Sequence, residues 1–372
     1  MRLNDDEKEE PVRNARFRLH FLTLLVGFVA TVLASTATAQ TTTGEVCFNV
    51  DLRGCKTKIC ADVHVNSQAP ERGRTILAVH GLTETAAAWE PLTRAIFADR
   101  QLRADVRRVI AIDLPGHGDS PRPVGLPGGV LFGDLTIDDN ISVVIQSIQT
   151  LRELGLGSDV ILGHSMGGLE IQGAQGRLLG QRSSLARLGI RHAILLAPVP
   201  AGGNTFTQPP PADLSAFIVV DPLFGTFLSL SPDAARFGGG FTRPDGTLAA
   251  GTPDAVTIAR FNSPEPLTTL LQLTDQIPGL PRPTLPRGGF ATRNGTLLSV
   301  VAFSQDVLVS PNDLDDLYVF LIGANNGPLF RFVDTSEAVH SMFIADPVGL
   351  LRSLKTVAPL SERLPPSSRS PR

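Results

Sequence analysis

The sequence has little of what would mark several classes of protein. Three cysteines in 372 residues are too few for a framework of many disulfides, and a chain of this length can bury a large core without one. Basic residues (33) do not outnumber acidic residues (36), so no excess of positive charge is available to bind nucleic acid. With 42% apolar and 19% charged residues, the composition is typical of a globular protein.

The apolar run near the start of the chain, Phe21–Ala34, is shorter than the about 20 residues that a membrane-spanning helix needs. Arginines at positions 13–18 precede the run, and Ala-Thr-Ala at positions 37–39 follows it. This order predicts a secretory signal, residues 1–39, that is cleaved after Ala39. We therefore expect a secreted or periplasmic protein with no stable membrane anchor after cleavage. The alternatives are an uncleaved anchor and a true start further downstream.

The three cysteines lie close together in a stretch with two alternating runs on either side of Arg53–Gly54. This pattern predicts a β-hairpin, and folding it about Arg53–Gly54 places Cys47 opposite Cys60. A Cys47–Cys60 disulfide would suit an oxidising compartment, and Cys55–Cys60 is the rival pairing. The cysteine spacings do not fit a metal site, and we predict no metal.

After the hairpin, short apolar runs alternate with amphipathic stretches. Strands that lead into turns are predicted within 74–81, 107–118, 159–168, 191–200 and 296–306, and helices at 86–102, 138–157, 167–179 and 346–357. Continuous apolar strands between helices are typical of a parallel sheet covered on both faces. The predicted fold class is therefore α/β, and either 317–325 or 329–340 must supply the last strand.

The alternation stops between residues 201 and 293, a stretch rich in Pro, Gly and Phe. An insertion of this length with its own apolar residues predicts a cap packed over the sheet, with helices at 216–230 and 266–273. The predicted organisation is a signal peptide (1–39), a core in two parts (40–200, with the hairpin, and 294–360), the cap (201–293) and a disordered tail (361–372).

The segment Gly163-His164-Ser165-Met166-Gly167 matches the pattern G-x-S-x-G, directly after an apolar strand and directly before a helix. The pattern alone is weak, but this context is the one in which a sharp turn lifts the serine hydroxyl above the sheet edge. Small residues on both sides let the flanking backbones approach each other. We predict that Ser165 is a nucleophile; the alternative is a glycine-rich helix start with a capping serine.

A neutral serine hydroxyl needs a base, and His340, late in the chain after a strand signal, is the predicted one. The other histidines of the mature chain have structural interpretations in turns and strands, including His164, which we expect to face away from Ser165. The base needs a carboxylate to orient it. Asp306 follows the strand at 296–306 at the carboxyl edge of the sheet, where α/β sites form; the rival carboxylates are Asp313, Asp315, Asp316 and Asp334.

The loop His80-Gly81-Leu82 follows the first apolar strand of the alternating region. A backbone amide from this loop and the amide that follows the nucleophile can together stabilise a developing oxyanion. We predict that these two donors are the N–H groups of Leu82 and Met166.

These motifs, in this order, resemble the α/β-hydrolase family: the loop "VHGLTETAAAWEPL", the turn "DLPGHGDSPRP", the elbow "GHSMGG", the stretch "VVAFSQDVLVSP" and the final "AVHSMF". The resemblance implies a mostly parallel sheet of eight strands flanked by helices, with a cap inserted after strand six. It also implies a serine that is acylated and then hydrolysed by water. The residues that match Asp113 and His117 are structural in members of the family, and the resemblance implies the same role here. The proline-rich cap matches no known substrate subclass.

The expected function is that of a secreted serine hydrolase acting on a carboxylic ester of an apolar small molecule, like a carboxylesterase or lipase. Ser165, His340 and Asp306 form the predicted triad, and no cofactor is expected. Apolar residues of the predicted cap, such as Phe217, Phe224, Phe227, Leu228 and Leu230, either contact the substrate or pack the cap's own core. Lactonase, amidase or C–C bond hydrolase activity would use the same triad, and a non-catalytic binding protein is a second class.

Overall fold

A sheet of eight strands forms the centre of the fold in the computed structural model, which describes residues 41–201, 215–238, 240–277, 279–323 and 329–357. The predicted signal peptide and the predicted tail after residue 360 lie outside these residues. Within the described part of the chain, no helix is both long and apolar enough to cross a membrane.

The strands of the central sheet follow the order β1-β2-β4-β3-β5-β6-β10-β11, and a smaller sheet has the order β7-β8-β9. β1 pairs antiparallel with β2 and β2 with β4, whereas the pairs from β4 to β11 are parallel. The bounds are β1 Thr41–Leu52, β2 Cys55–Asn66, β3 Arg74–Val79, β4 Val106–Ile112, β5 Val160–His164, β6 His192–Leu196, β7 Ile218–Asp221, β8 Gly225–Leu228, β9 Glu265–Pro266, β10 Leu297–Phe303 and β11 Phe330–Val333.

Helices cover both faces of the central sheet, as the apolar strands require. Their bounds are α1 Glu90–Ala98, α2 Leu102–Asp105, α3 Ile137–Glu153, α4 Met166–Gly180, α5 Pro232–Phe237, α6 Ala255–Phe261, α7 Leu267–Leu273, α8 Pro311–Ile322, α9 Met342–Ala345 and α10 Pro347–Val357. Short 3₁₀ turns cover Ala86–Trp89, Pro127–Gly129, Phe132–Asp134, Leu185–Leu188, Ser215–Phe217 and Thr292–Asn294.

Alternate residues of the parallel strands enter two separate cores. In β3, Leu77 and Val79 pack with residues of α3 and α4, whereas Ile76 and Ala78 pack with residues of α1 and α10 on the other face. Successive side chains of a strand point to opposite faces, so a strand buried on both faces is apolar throughout. The predicted α/β fold class is therefore confirmed, including the eight strands of the central sheet.

The N-terminal hairpin has the predicted register. Arg53 and Gly54 form the turn with φ values of 54° and 86°, a pair of left-handed residues typical of tight hairpin turns. Cys47 stands opposite Cys60 in the ladder, and the two are joined by a disulfide, while Cys55 is free. The predicted pairing is confirmed, and the rival Cys55–Cys60 pairing is wrong.

Alkylation of the folded, unreduced protein should modify one cysteine, Cys55, because the other two sulfurs share a covalent bond. After unfolding and reduction, three cysteines should react. Mass spectrometry of peptides from the alkylated protein measures both states. Alkylation of Cys47 or Cys60 in the unreduced protein would contradict the disulfide.

The segment between β6 and β10 is only partly as the sequence predicts. The predicted helix at 266–273 is present as α7, but the predicted helix at 216–230 is wrong: a 3₁₀ turn and the β7–β8 hairpin occupy it. Ile218, Val219 and Val220 are β-branched, which favours a strand, and Gly225 at the start of β8 has a φ of 77°. A short apolar run does not distinguish helix from strand by periodicity alone.

The last strand of the central sheet is β11, within the predicted stretch 329–340. The alternative stretch 317–325 belongs instead to α8. Leu314, Leu317 and Leu321 are buried on one side of this helix, in the i, i+3, i+7 spacing of an amphipathic helix.

Candidate active site

Ser165 occupies a strained turn between β5 and α4. Its backbone has φ 50° and ψ −116°, a conformation that non-glycine residues rarely adopt. Its amide donates to the Leu196 carbonyl of β6 (3.0 Å), and its carbonyl accepts the amide of Val199 (3.1 Å). The neighbouring strand end therefore holds the turn on both sides.

The two glycines of the motif allow the close approach that this turn needs. A Cβ on Gly163 would lie 2.5 Å from Ile171 Cδ1 and 2.8 Å from the Gly167 carbonyl oxygen. A Cβ on Gly167 would lie 2.5 Å from the Val79 carbonyl oxygen. No side chain fits at these distances, so the elbow depends on glycine at both positions.

His340 and Asp306 form a buried pair at the carboxyl edge of the sheet. His340 Nδ1 lies 2.8 Å from Asp306 Oδ2, and the other carboxylate oxygen accepts the amides of Leu308 (2.8 Å) and Val309 (2.9 Å). A carboxylate only accepts, so Nδ1 carries the proton and Nε2 has a free lone pair. Burial lowers the pKa of His340, but Asp306 and, less strongly, Glu84 raise it, and the net pKa lies above its ordinary value.

Within the described part of the chain, none of the rival carboxylates forms a hydrogen bond with His340. Asp313 lies in the first turn of α8, and Asp315 and Asp316 are exposed on the same helix. Asp334, just after β11, is exposed as well. The structure therefore brings Asp306 to His340 and leaves the other four candidates away from it.

Ser165 and His340 line the same cavity. The Ser165 hydroxyl makes no hydrogen bond with another described residue, although such bonds are often long in hydrolases without substrate and tighten only when substrate binds. Leu82 lines this cavity too. Among the described residues, the amides of Leu82 and Met166 have no hydrogen-bond acceptor, whereas the neighbouring Gly81 amide donates to Glu84 (2.7 Å).

The remaining cavity lining is mostly apolar, and about half of it comes from residues 228–274. Its large apolar side chains include Leu228, Leu230, Ile258, Phe261, Leu270 and Leu273. Of the apolar residues singled out in the sequence, Leu228 and Leu230 line the cavity, whereas Phe224 and Phe227 contact the Arg122 guanidinium. The described lining contains one acidic residue, Glu84, and no lysine or arginine.

His164 lines the cavity, and its ring nitrogens have partners other than Ser165. Its Nδ1 lies 3.0 Å from Glu84 Oε2, and its Nε2 donates to the His340 carbonyl (2.9 Å). Burial raises the pKa of Glu84, but His164 and the Gly81 amide lower it by more, so the net pKa lies below its ordinary value. Glu84 is not predictable from the sequence, because a single glutamate in a loop carries no signal of its distant partner.

A further carboxyl group, Glu170, is buried in α4 behind the elbow. Neither of its oxygens meets hydrogen-bond geometry with a described residue. Burial raises the pKa of Glu170 well above its ordinary value, while Asn140 opposes this rise and Glu265 adds to it. Glu170 is therefore protonated in the folded protein under conditions in which the unfolded chain ionises it.

Substituting Glu170→Gln should make the protein more stable at high pH. Because the folded pKa is raised, the contribution of Glu170 to stability is present below the ordinary glutamate pKa of about 4.3 and is lost as pH rises towards the folded pKa. Glutamine does not titrate, so the variant's unfolding temperature should rise relative to wild type as pH rises from about 4.5 to 8. A difference that stays constant across this range in thermal unfolding would contradict a protonated Glu170.

One cluster of possible metal ligands occurs among the described residues: Glu45, Cys47 and Cys60. The two sulfurs of this cluster are joined in the disulfide and so supply no thiolate to a metal. The cluster lies on the N-terminal hairpin and does not line the cavity.

Comparisons with known proteins agree with the fold. Residues 76–352 match the alpha/beta hydrolase family, and the chain therefore belongs to this family. It is 32% identical over 127 residues to the dihydrolipoyllysine-residue acetyltransferase component of the acetoin cleaving system of Pseudomonas putida, over 33% of this chain and 30% of that protein. The chain thus spans less than a third of that relative's length.

Solved structures show the same architecture at low identity. A hypothetical protein from Pseudomonas aeruginosa PAO1 is 17% identical with a TM-score of 0.51, over 86% of this chain and 99% of that one. A carboxylesterase from Bacillus subtilis is 16% identical with a TM-score of 0.47, over 85% and 92% of the two chains. At 17% identity, the likeness to the Pseudomonas aeruginosa protein shows the fold alone.

Proposed function

We propose that the protein is a secreted serine hydrolase that cleaves carboxylic esters of apolar small molecules through an acyl-enzyme intermediate. The observation that carries this proposal is that a strained serine and a histidine paired with a buried carboxylate line one apolar cavity. Family membership supports a hydrolase, and the Cys47–Cys60 disulfide supports an oxidising compartment.

In the proposed reaction, Ser165 Oγ attacks the ester carbonyl while His340 Nε2 takes the hydroxyl proton. Asp306 keeps His340 in the required tautomer and stabilises the imidazolium that forms. The amides of Leu82 and Met166 stabilise the negative oxygen of the tetrahedral intermediate. His340 then gives its proton to the leaving alcohol. Water attacks the acyl-enzyme, with His340 again as base, and releases the acid and free Ser165.

The lining favours an uncharged, apolar substrate. Burying an anionic acyl group without a cationic partner is costly, and the described lining has no lysine or arginine, while it contains the Glu84 carboxylate. Burying a hydrocarbon group against apolar side chains such as Leu228, Phe261 and Leu273 instead contributes favourable binding free energy. We assign residues 201–293, which supply much of this lining, to a cap that covers the site.

A panel of p-nitrophenyl esters of increasing acyl length, with lactones and amides alongside, tests this proposal. We expect kcat/KM to rise with acyl length until the cavity is filled, because each buried methylene contributes about 0.8 kcal/mol. A dicarboxylic monoester of matched length should be the poorer substrate. Preference for lactones or amides would replace the ester assignment, and no turnover of any panel member would contradict the hydrolase.

A further inference from the structure

Thr83, next to the predicted oxyanion donor Leu82, has a strained backbone. Its φ is 59°, and a β-branched residue in this region is an outlier. Such strain persists only where the surrounding structure holds it. The interactions of Thr83 therefore show what keeps this loop in place.

Both peptide groups of Thr83 are held by one distant segment, residues 263–265. The Thr83 amide donates to Glu265 Oε2 (3.0 Å), and the Thr83 carbonyl accepts the amide of Ser263 (2.6 Å). Thr85 adds a third connection, since its hydroxyl donates to the Arg260 carbonyl (3.1 Å). The segment that carries these partners belongs to the proposed cap.

Glu265 is itself fixed by a buried partner. Its side chain and that of His117 are 0% and 1% exposed, and His117 Nε2 lies 3.1 Å from the Glu265 Oε2 that accepts the Thr83 amide. His117 Nδ1 donates to the Pro115 carbonyl (3.2 Å), so both ring nitrogens donate. Burial lowers the pKa of His117, but Glu265 raises it by more, and the net pKa lies above its ordinary value.

We propose that Glu265 is a positioning residue for the oxyanion donors: it holds Thr83 in its strained conformation and thereby aims the Leu82 amide at the reacting carbonyl. This inference rests on the proposed function, in which Leu82 is a donor. Glu265 lies on the smaller sheet, paired with Leu228 of β8, and Leu228 lines the cavity. One short sheet of the proposed cap would thus carry both a residue that contacts substrate, Leu228, and the residue that holds the oxyanion loop, Glu265.

The test compares wild type with Glu265→Met after counting active sites by fluorophosphonate titration, because methionine is close to glutamate in size and has no oxygen to accept the Thr83 amide. For each titrated site, we expect kcat for a p-nitrophenyl ester to fall about 10- to 100-fold, because a misplaced donor loses much of its stabilisation of the transition state. KM should change little. The inhibition constant of a trifluoromethyl ketone of matched acyl length, whose adduct carries an oxyanion, should rise by a similar factor.

Glu170→Met is the matched control, since it makes the same change at another buried carboxyl that has no hydrogen bond to Thr83 and does not line the cavity. It should leave kcat per site and the ketone constant unchanged. A merely structural role of Glu265 would reduce the number of titrated sites but leave both values per site as in wild type, and that result would overturn the inference. Wild type that neither titrates nor hydrolyses esters would overturn the proposed function itself.

Making the Glu265 substitution together with Thr83→Gly tests the role of the strained Thr83 backbone directly. Glycine adopts a positive φ without cost, so in Thr83→Gly the change Glu265→Met should lower kcat per site several-fold less than in wild type. An equal loss in both backgrounds would show that Glu265 does not act through the conformation of Thr83. If Glu265→Met does not fold, Glu265→Asp, which withdraws the carboxylate from the Thr83 amide by one methylene, should show the same fall.

Discussion

Replacing Ser165 by alanine should lower kcat for ester hydrolysis by about 10⁶-fold, the loss expected when the nucleophile of a triad is removed. The turn that holds Ser165 is formed by backbone hydrogen bonds and by close contacts of Gly163 and Gly167. Alanine keeps the backbone and removes only the hydroxyl, so the variant should fold and still bind substrate. Steady-state hydrolysis of the preferred p-nitrophenyl ester measures the loss.

The control for Ser165→Ala is Ser147→Ala, a buried serine on α3 outside the cavity. It should keep kcat within about twofold of wild type, because the surrounding packing loses one oxygen that has no hydrogen-bond partner among the described residues. Turnover in Ser165→Ala comparable to wild type would show that another residue supplies the nucleophile.

The change Asp306→Asn should lower kcat by about 10⁴-fold with little effect on KM, because asparagine no longer fixes the required tautomer of the base. In wild type, Asp306 Oδ2 accepts from His340 Nδ1 and leaves Nε2 free for the serine proton. The two loop amides that donate to Asp306 Oδ1 can donate to the amide oxygen in the variant, which preserves the local fold. Steady-state kinetics on the same ester measures the effect.

Asp334→Asn is the matched control, since Asp334 is the exposed rival close to His340 in sequence. Its activity should equal that of wild type. A loss of about 10⁴-fold in Asp334→Asn, with Asp306→Asn unaffected, would reassign the acid and contradict the geometry of the site.

The pH dependence gives a second readout for Asp306. Activity needs unprotonated His340, so kcat/KM should fall as pH drops through a pKa that Asp306 holds above the ordinary histidine value. Removing the negative charge in Asp306→Asn should move this acidic limb to lower pH. A limb that stays in place would show that Asp306 does not set the pKa of the base.

Local patterns predicted the parts of the structure that depend on neighbouring residues. The hairpin register followed from alternation about Arg53–Gly54, and the Cys47–Cys60 pairing followed from that register. The elbow could be placed because its glycines, strand and helix are contiguous in sequence. The order of strands and helices could be predicted because strands buried on both faces are apolar throughout.

Contacts between distant segments were harder to predict. Glu265 reaches Thr83 across 182 residues of sequence, and neither residue carries a motif that points to the other. Glu84 and His164 likewise meet only because β3 and β5 are neighbours in the sheet. The prediction of a helix at 216–230 was wrong for a local reason, because the apolar residues of this segment fit a hairpin as well as a helix.

Labelling with a fluorophosphonate, followed by mass spectrometry of the modified peptide, tests whether Ser165 is the nucleophile. We expect one adduct per chain, located on Ser165, that forms in wild type and is absent from Ser165→Ala. Ser147→Ala should be labelled to the same extent as wild type. No adduct on well-folded wild-type protein, or an adduct on a different residue, would contradict a serine hydrolase with Ser165 as its nucleophile.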